Sequence, residues 1–346
     1  MIAASQPEQR PADARLLVVD ALGRIGHALR SSFVEYLRPG DLVIANDAAT
    51  LPASLTGVHR PTGALIEVRL AGRPSLKIDD ASTFKAIVFG EGDFHTRTED
   101  RPLPPALDPG DALVLGPLHA TVESVLGHPR LVIIRFEGPR DLIWRGLARH
   151  GRPIQYAHVP TPLALWDVWT PIAGAPVAFE PPSAGFMLDW RTLEAMRSRG
   201  VRFATITHAA GISSTGDPAL DRLLPFDEPY RISKPAASAI GDARSRGSRI
   251  IAIGTTVVRA LEHAGRDGHI AAGDGLSDQR IGPTTRLQVV NAILSGAHER
   301  DTSHYQLLRA FASDTTLHRA SAELDARAYH THEFGDSVLI EAATGI

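Results

Sequence analysis

Two rhythms of apolar residues alternate along this chain. Some segments carry short unbroken runs of β-branched residues, and others carry apolar positions three and four apart. The clearest junction between the two is Gly247-Ser-Arg-Ile-Ile-Ala-Ile-Gly-Thr-Thr-Val-Val-Arg-Ala-Leu-Glu-His-Ala-Gly265. Residues 249–253 read as a buried strand. Gly254-Thr255-Thr256 breaks the run, and apolar residues then fall at 257, 258, 261 and 264, the spacing of a helix. Gly265 is expected to close that helix in a left-handed conformation. A strand running through Gly-Thr-Thr into a helix sets backbone N–H groups and two hydroxyls at the carboxyl end of a strand. Open α/β sheets bind ligands there, and a helix N-terminus favours anionic groups. The plainer role for Thr255 or Thr256 is an N-cap.

The same reading extends to the flanks. Leu16-Leu-Val-Val-Asp20 and Leu42-Val-Ile-Ala45 are buried strands, and residues 24–36 have mixed character. The second strand ends at Asn46-Asp47, where an Asx-turn is the simplest structure. Helices are predicted over 140–150, 189–200, 233–246, 304–311 and 317–329, and strands over 201–207 and 337–340. Residues 208–228 form a long segment of small residues, Gly and Pro, a length that is usually functional or mobile. Between 61 and 136 the pattern changes. Short strands at 64–70, 84–89, 112–116, 120–126 and 130–136 are punctuated by Gly, Pro and Asp, as in a small barrel or sandwich. This is an all-β module inside an otherwise α/β chain.

At 346 residues the chain can bury a large core and divide into two domains. Cysteine is absent, which excludes disulfides, thiolate metal sites and a cysteine nucleophile. The N-terminal residues lack a basic segment followed by an apolar run. The longest apolar candidate for a membrane span, 163–179, is interrupted by Asp167 and several prolines. A cytoplasmic protein without membrane contact is the expectation. A net charge of −3 does not advertise nucleic-acid binding. The best basic cluster is Arg140, Arg145, Arg149, His150 and Arg152, which suits either phosphate contact or a solvated helix face.

Few local motifs carry chemistry. His330-x-His332 would place two imidazoles on one face of a strand, but no third ligand stands out nearby, so no metal is expected. Dinucleotide-binding, Walker and nucleophile-elbow patterns are missing. Ser183, His208 and Asp221 can be assembled into a triad on paper, but a chain with fifteen histidines supplies such sets by chance.

Several segments, in order and over nearly the whole length, together resemble one family. They are Ile2-Ala-Ala … Arg10 … Ala14-Arg-Leu-Leu17, Leu37-Arg-Pro-Gly-Asp-Leu-Val43 … Asn46 … Leu51-Pro-Ala53, Thr62-Gly … Ile66-Glu-Val68, Pro182-Ser-Ala-Gly185, Gly254-Thr-Thr-Val-Val-Arg-Ala-Leu-Glu262, Ala310-Phe311 and Phe334-Gly-Asp336. The family is the S-adenosylmethionine:tRNA ribosyltransferase-isomerases of queuosine biosynthesis. The resemblance implies an α/β domain with an inserted small all-β, barrel-like domain. Residues 1–58 and 151–346 would form the discontinuous α/β domain and 59–150 the insert. It further implies S-adenosylmethionine as a ribosyl donor, a 7-aminomethyl-7-deazaguanine in tRNA as acceptor, and release of adenine and methionine to give epoxyqueuosine, with no metal or redox cofactor. A sulfonium acidifies the neighbouring C5′ hydrogens, so a positioned base can remove one.

The departures from the family pattern fall at charged positions. After Asn46 the family has Asn-Thr-Arg, with another Arg after Pro-Ala. This chain has Asp47, Ala48, Ala49 and Ser54. Leu-His-Phe after the Pro-Thr-Ala-Gly loop becomes Phe186-Met187-Leu188, and Leu-His-Val-Gly becomes a stretch with His208 one residue early. Met-His-Ser-Glu-Tyr becomes Phe226-Asp-Glu-Pro-Tyr230, and His-Leu-Pro-Lys-Ser-Thr becomes His298-Glu-Arg-Asp-Thr-Ser303. The chain also starts a few residues later than the family does. Carried over residue by residue, Pro182, Ser183, Ala184, Gly185, Gly254, Thr255 and Thr256 would line the donor site. Arg259 would pair with an anion or brace the loop, and Glu228 and His298 would handle protons. Three readings follow: the family reaction on tRNA; a paralogue acting on a small-molecule acceptor, which the missing cations favour; and a non-catalytic binding protein, which the missing histidines favour.

Overall fold

The computed structural model describes residues 1–300 and 302–343. Its larger body is a nine-stranded mixed sheet. In spatial order the strands are Gly273–Ser277, Glu228–Ile232, Arg202–His208, Leu42–Asn46, Ile250–Ile253, Ala292–Gly296, Ser337–Glu341, Arg15–Val19 and Ile25–Leu29. The central four, from Arg202–His208 to Ala292–Gly296, run parallel. Both faces of the sheet are covered, which explains the unbroken apolar runs. Leu42, Ile44, Ile250, Ala252 and Ile293 face helices Lys234–Ser245 and Thr255–Ala264, while Val43, Ala45, Ile251, Ile253 and Leu294 pack with Phe33, Met196 and Leu188 on the other side. The Asx-turn at Asn46 is present: its Oδ1 accepts from the Ala48 N–H at 3.0 Å and its Nδ2 donates to the His208 carbonyl at 2.9 Å.

The second body is a closed six-stranded antiparallel barrel, in the order Leu118–Val125, Leu131–Phe136, Thr83–Phe89, Ala64–Gly72, Ser54–His59, Ala112–Leu115. Pairing begins at Ser54, ahead of the first strand legible in the sequence. Gly57 interrupts the alternation there because a Cβ would lie 2.1 Å from the Val114 carbonyl oxygen. Helix Arg140–His150 closes one side of the barrel, with Gly146 pressed on Leu118.

The elements read from the pattern are present with shifted ends, and some differ in kind. Residues 24–36 split into strand Ile25–Leu29 and a 3₁₀ turn, Arg30–Tyr36. The long loop contains a short helix, Pro218–Asp221, capped by Asp217. Gly265 is not left-handed: its φ is −92°, and glycine is required because a Cβ would sit 2.3 Å from Val289. Among the described residues no helix is long and apolar enough to cross a membrane.

Candidate functional site

The parallel strands deliver their carboxyl ends to one cavity of about 330 Å³, the size of a small-molecule site. Strand Ile250–Ile253 ends in Gly254, whose φ of +95° is open mainly to glycine. Gly254 is itself the N-cap of helix Thr255–Ala264, so neither threonine serves as the cap, and Thr255 and Thr256 stand at the cavity wall. Beside them is the turn Ser183–Met187, which brings Pro182, Ser183 and Ala184 to the same wall. Gly185, expected with them, lies behind the turn instead. It is buried, and a Cβ there would meet the Thr170 side chain at 3.2 Å.

Glu228 and Arg259 form the floor. The Arg259 guanidinium donates to the Glu228 carboxylate and to the carbonyls of Phe226, Ser277 and Gln279. The Gly211 N–H donates to Glu228 Oε1 at 2.6 Å. Burial pushes the Glu228 carboxyl up, and Arg259 and the Gly211 N–H pull it back. Arg259 is thus fully engaged in bracing the loops around Glu228. His208 lies beneath, completely buried, with Nε2 3.5 Å from Glu228 Oε2 and neither ring nitrogen hydrogen-bonded. Burial and the Arg259 charge hold it neutral, well below the usual imidazole range. It is absent from the cavity wall, and Asp221 is taken up by Thr215 and Ser214, so the paper triad with Ser183 does not form.

The last wall follows strand Ala292–Gly296. His298 Nε2 lies 3.1 Å from Ser295 Oγ, and its ring stacks on His304 at 4.4 Å. Burial, with His304 and His332 nearby, depresses His298 well below its ordinary value, and His304 falls to about 4. Both are neutral imidazoles at neutral pH. Arg222 and Arg280 stand exposed at the rim.

Sequence reasoning passed over His304 and Glu180. Glu180 sits in the wall shared by this cavity and a neighbouring one of about 600 Å³. The Tyr156 hydroxyl donates to its Oε1 and the Ser213 N–H to its Oε2 at 3.0 Å. Burial pushes the carboxyl up to about 7, against those hydrogen bonds. Phe179-Glu180-Pro181 looks like a turn in sequence, and only contact with Tyr156 reveals the carboxyl as buried. The raised pKa has a consequence for stability. Between the ordinary carboxyl range and about 7 the folded state holds a proton that the unfolded chain has lost, so stability falls as pH rises through this window. The loss amounts to roughly 3 kcal/mol. Glu180→Gln is expected to remove it. Urea unfolding at pH 5 and pH 8 should show a smaller decline than in the parent, and an equal decline would contradict the assignment.

Ser54, read from the sequence as a lost arginine, has Arg69 as its cross-strand partner. Arg69 Nε donates to Glu67 at 2.7 Å, and the Ser54 hydroxyl donates to the same carboxylate. Arg101 also binds Glu67, and Arg69, Arg101 and Arg130 lie over the Phe89 ring. Met187, read from the sequence as standing for a family histidine, is core. His330-x-His332 does not present two rings on one strand face: His330 is exposed on strand His330–Thr331, whereas His332 lies beyond it at φ +70°.

A family model described as queuosine biosynthesis protein matches residues 1–340. The S-adenosylmethionine:tRNA ribosyltransferase-isomerase of Citrifermentans bemidjiense is 31% identical, across 97% of this chain and 95% of its own length. That of Sorangium cellulosum is 33% identical across 98% and 95%, and that of Thermus thermophilus 30% across 94% and 92%. The fold is similar to the crystal structure of the S-adenosylmethionine tRNA ribosyltransferase from Thermotoga maritima. The TM-score is 0.52 at 25% identity, covering 98% of this chain and 96% of that one.

Proposed function

The chain belongs to the queuosine biosynthesis protein family, whose relatives are named S-adenosylmethionine:tRNA ribosyltransferase-isomerase, and we propose that it carries out that reaction in the cavity at the carboxyl edge of its sheet. S-adenosylmethionine is the ribosyl donor, and the aminomethyl group of a 7-deazaguanine in tRNA is the acceptor. One observation carries the placement. Pro182–Ala184 and Gly254–Thr256, about seventy positions apart in sequence, meet in the lining of one cavity with Glu228, Arg259 and His298.

In this reading the Gly254 turn and the two threonine hydroxyls hold polar groups of the donor. His298, neutral because it is buried, removes a C5′ proton activated by the sulfonium. Glu180, still protonated near pH 7, delivers a proton to the departing adenine. Glu228, clamped by Arg259, is an acceptor for an ammonium or amino group rather than a mobile base. Arg222 and Arg280 at the rim, with the exposed Arg145 and Arg149 on helix Arg140–His150, offer cations to phosphates.

Calorimetric titration with S-adenosylmethionine, with and without tRNA bearing the deazaguanine, tests this. Binding tightened by tRNA and followed by adenine release is expected. A second reading, a small-molecule acceptor, draws on Ala49, which stands buried against Pro176–Ala178 where the family has arginine. Donor binding and adenine release indifferent to tRNA would favour it, and no binding at all would favour a non-catalytic protein. For the donor site, Thr255→Ala with Thr256→Ala is expected to weaken S-adenosylmethionine by about 5- to 100-fold, the worth of two hydrogen bonds. Unchanged affinity with an intact fold would mean the pocket lies elsewhere.

A further inference from the structure

His332 finds its partner far from its own motif. The His158 ring stacks on it at 4.2 Å with 19° between planes. His158 Nε2 lies 3.1 Å from the carboxylate of Glu333, the residue after His332. One ligand atom from each of His158, His332 and Glu333 lies within 4.8 Å of the other two. We propose that His158, His332 and Glu333 form a binding site for a divalent first-row transition cation of the zinc type.

The donor set is the first reason. Two imidazoles and one carboxylate are the ligands of catalytic zinc sites and of two-histidine, one-carboxylate iron sites, both of which leave positions open. The chain has no thiolate to offer a softer alternative. Ligand bonds of about 2.0–2.2 Å place tetrahedral donors about 3.3 Å apart, and the His158–Glu333 separation already meets that. The His332 nitrogen must turn inward from the stacked arrangement.

The backbone is the second reason. His332 holds φ +70°, a conformation uncommon outside glycine, and the Gly335 N–H donates to its carbonyl at 3.1 Å to close the turn. A Cβ at Gly335 would strike the His330 carbonyl at 2.5 Å, so the turn is tightly constrained. That constraint points His332 and Glu333 at His158 rather than along the strand. Such strained residues concentrate at functional sites.

Surroundings supply the rest. Tyr156 lies parallel to His158 at 6.1 Å, and its hydroxyl is fixed by Glu180 and the Ser214 carbonyl. All three ligands line the cavity of about 600 Å³, which also touches Glu299, Thr302, Ser183 and His298. An ion could enter by that route. The site stands on its own geometry and does not require the donor reading.

The test uses the full chain, stripped with chelator and titrated with zinc chloride by calorimetry and with cobalt chloride by visible absorption. One equivalent of zinc with micromolar or tighter affinity is expected, with cobalt giving ligand-field bands of low-coordinate intensity. His332→Asn keeps a residue that tolerates the left-handed backbone while removing the imidazole. His158→Phe keeps a ring between Tyr156 and His332. Each should weaken zinc at least tenfold and quench the cobalt bands, while His330→Ala should leave both unchanged. Substoichiometric zinc, weak octahedral cobalt bands, or equal losses in His330→Ala and His332→Asn would overturn the proposal.

Discussion

Replacing His298 by alanine is expected to lower the rate of adenine release by roughly 100- to 10,000-fold, the range of a lost general base. Affinity for S-adenosylmethionine should stay within a few-fold. The imidazole is set by two contacts, Ser295 Oγ at 3.1 Å and the stacked His304 ring at 4.4 Å, neither of which is a charge that would protonate it. Burial keeps it well below the ordinary imidazole value, so the basic form prevails through neutral pH. The sign for pH dependence follows. A base with a depressed pKa loses activity only when pH falls below that pKa, so any acid limb of kcat/KM from His298 should lie well below the ordinary imidazole range. Single-turnover assays of His298→Ala and His298→Gln, beside calorimetry with the donor, separate the cases. Equal losses in rate and affinity would make His298 a packing residue of the wall. An unchanged rate would take it out of proton transfer.

How far this site could be read beforehand depends on which contacts are local. Gly254-Thr255-Thr256 announced itself because strand, break and helix are contiguous, and Pro182–Gly185 because a short motif carries it. Gly185 shows the limit of carry-over: a motif names neighbours without saying which face the cavity and which pack against Thr170. Gly265 shows another limit, since glycine at a helix end signals positive φ or close approach equally well, and here Val289 decides. The α/β body with a small all-β module was legible from the change in strand spacing, and its barrel form from the family resemblance. The first barrel strand was not, because Gly57 breaks its alternation. Glu180, His158 and Arg69 were invisible for one shared reason. Their meaning lies in partners such as Tyr156, Glu333 and Glu67, brought near by folding or by register. Register, which the sequence does not show, places the buried Arg69 opposite Ser54.

The floor of the cavity supports the second large prediction. Arg259→Met removes the cation paired with the buried Glu228 carboxylate and leaves neutral His208 beside it, and breaking a buried pair in this way costs about 3–5 kcal/mol. Glu228→Gln should cost less, because Arg259 keeps the carbonyls of Phe226, Ser277 and Gln279. The double variant, which leaves no unpaired charge, should recover much of the loss, and urea unfolding of the four proteins gives the coupling energy directly. Additive single losses would mean that the pair contributes only packing. His208 adds a signature that packing cannot imitate. Its imidazole is held neutral by burial and by the Arg259 charge, 3.5 Å from Glu228 Oε2. Once Arg259 is gone, one of those two causes disappears and an unpaired carboxylate remains beside the ring. The His208 pKa in the folded variant should therefore rise, and a proton on it replaces the missing cation. A group whose folded pKa rises gives stability that is present at low pH and lost as pH climbs through that pKa. The penalty of Arg259→Met should accordingly be smaller at pH 5.5 than at pH 8, and adding His208→Gln should shrink that difference to the part supplied by protonation of Glu228 itself, whose carboxyl Arg259 no longer holds down. A difference left unchanged by His208→Gln would place His208 outside the electrostatics of the floor.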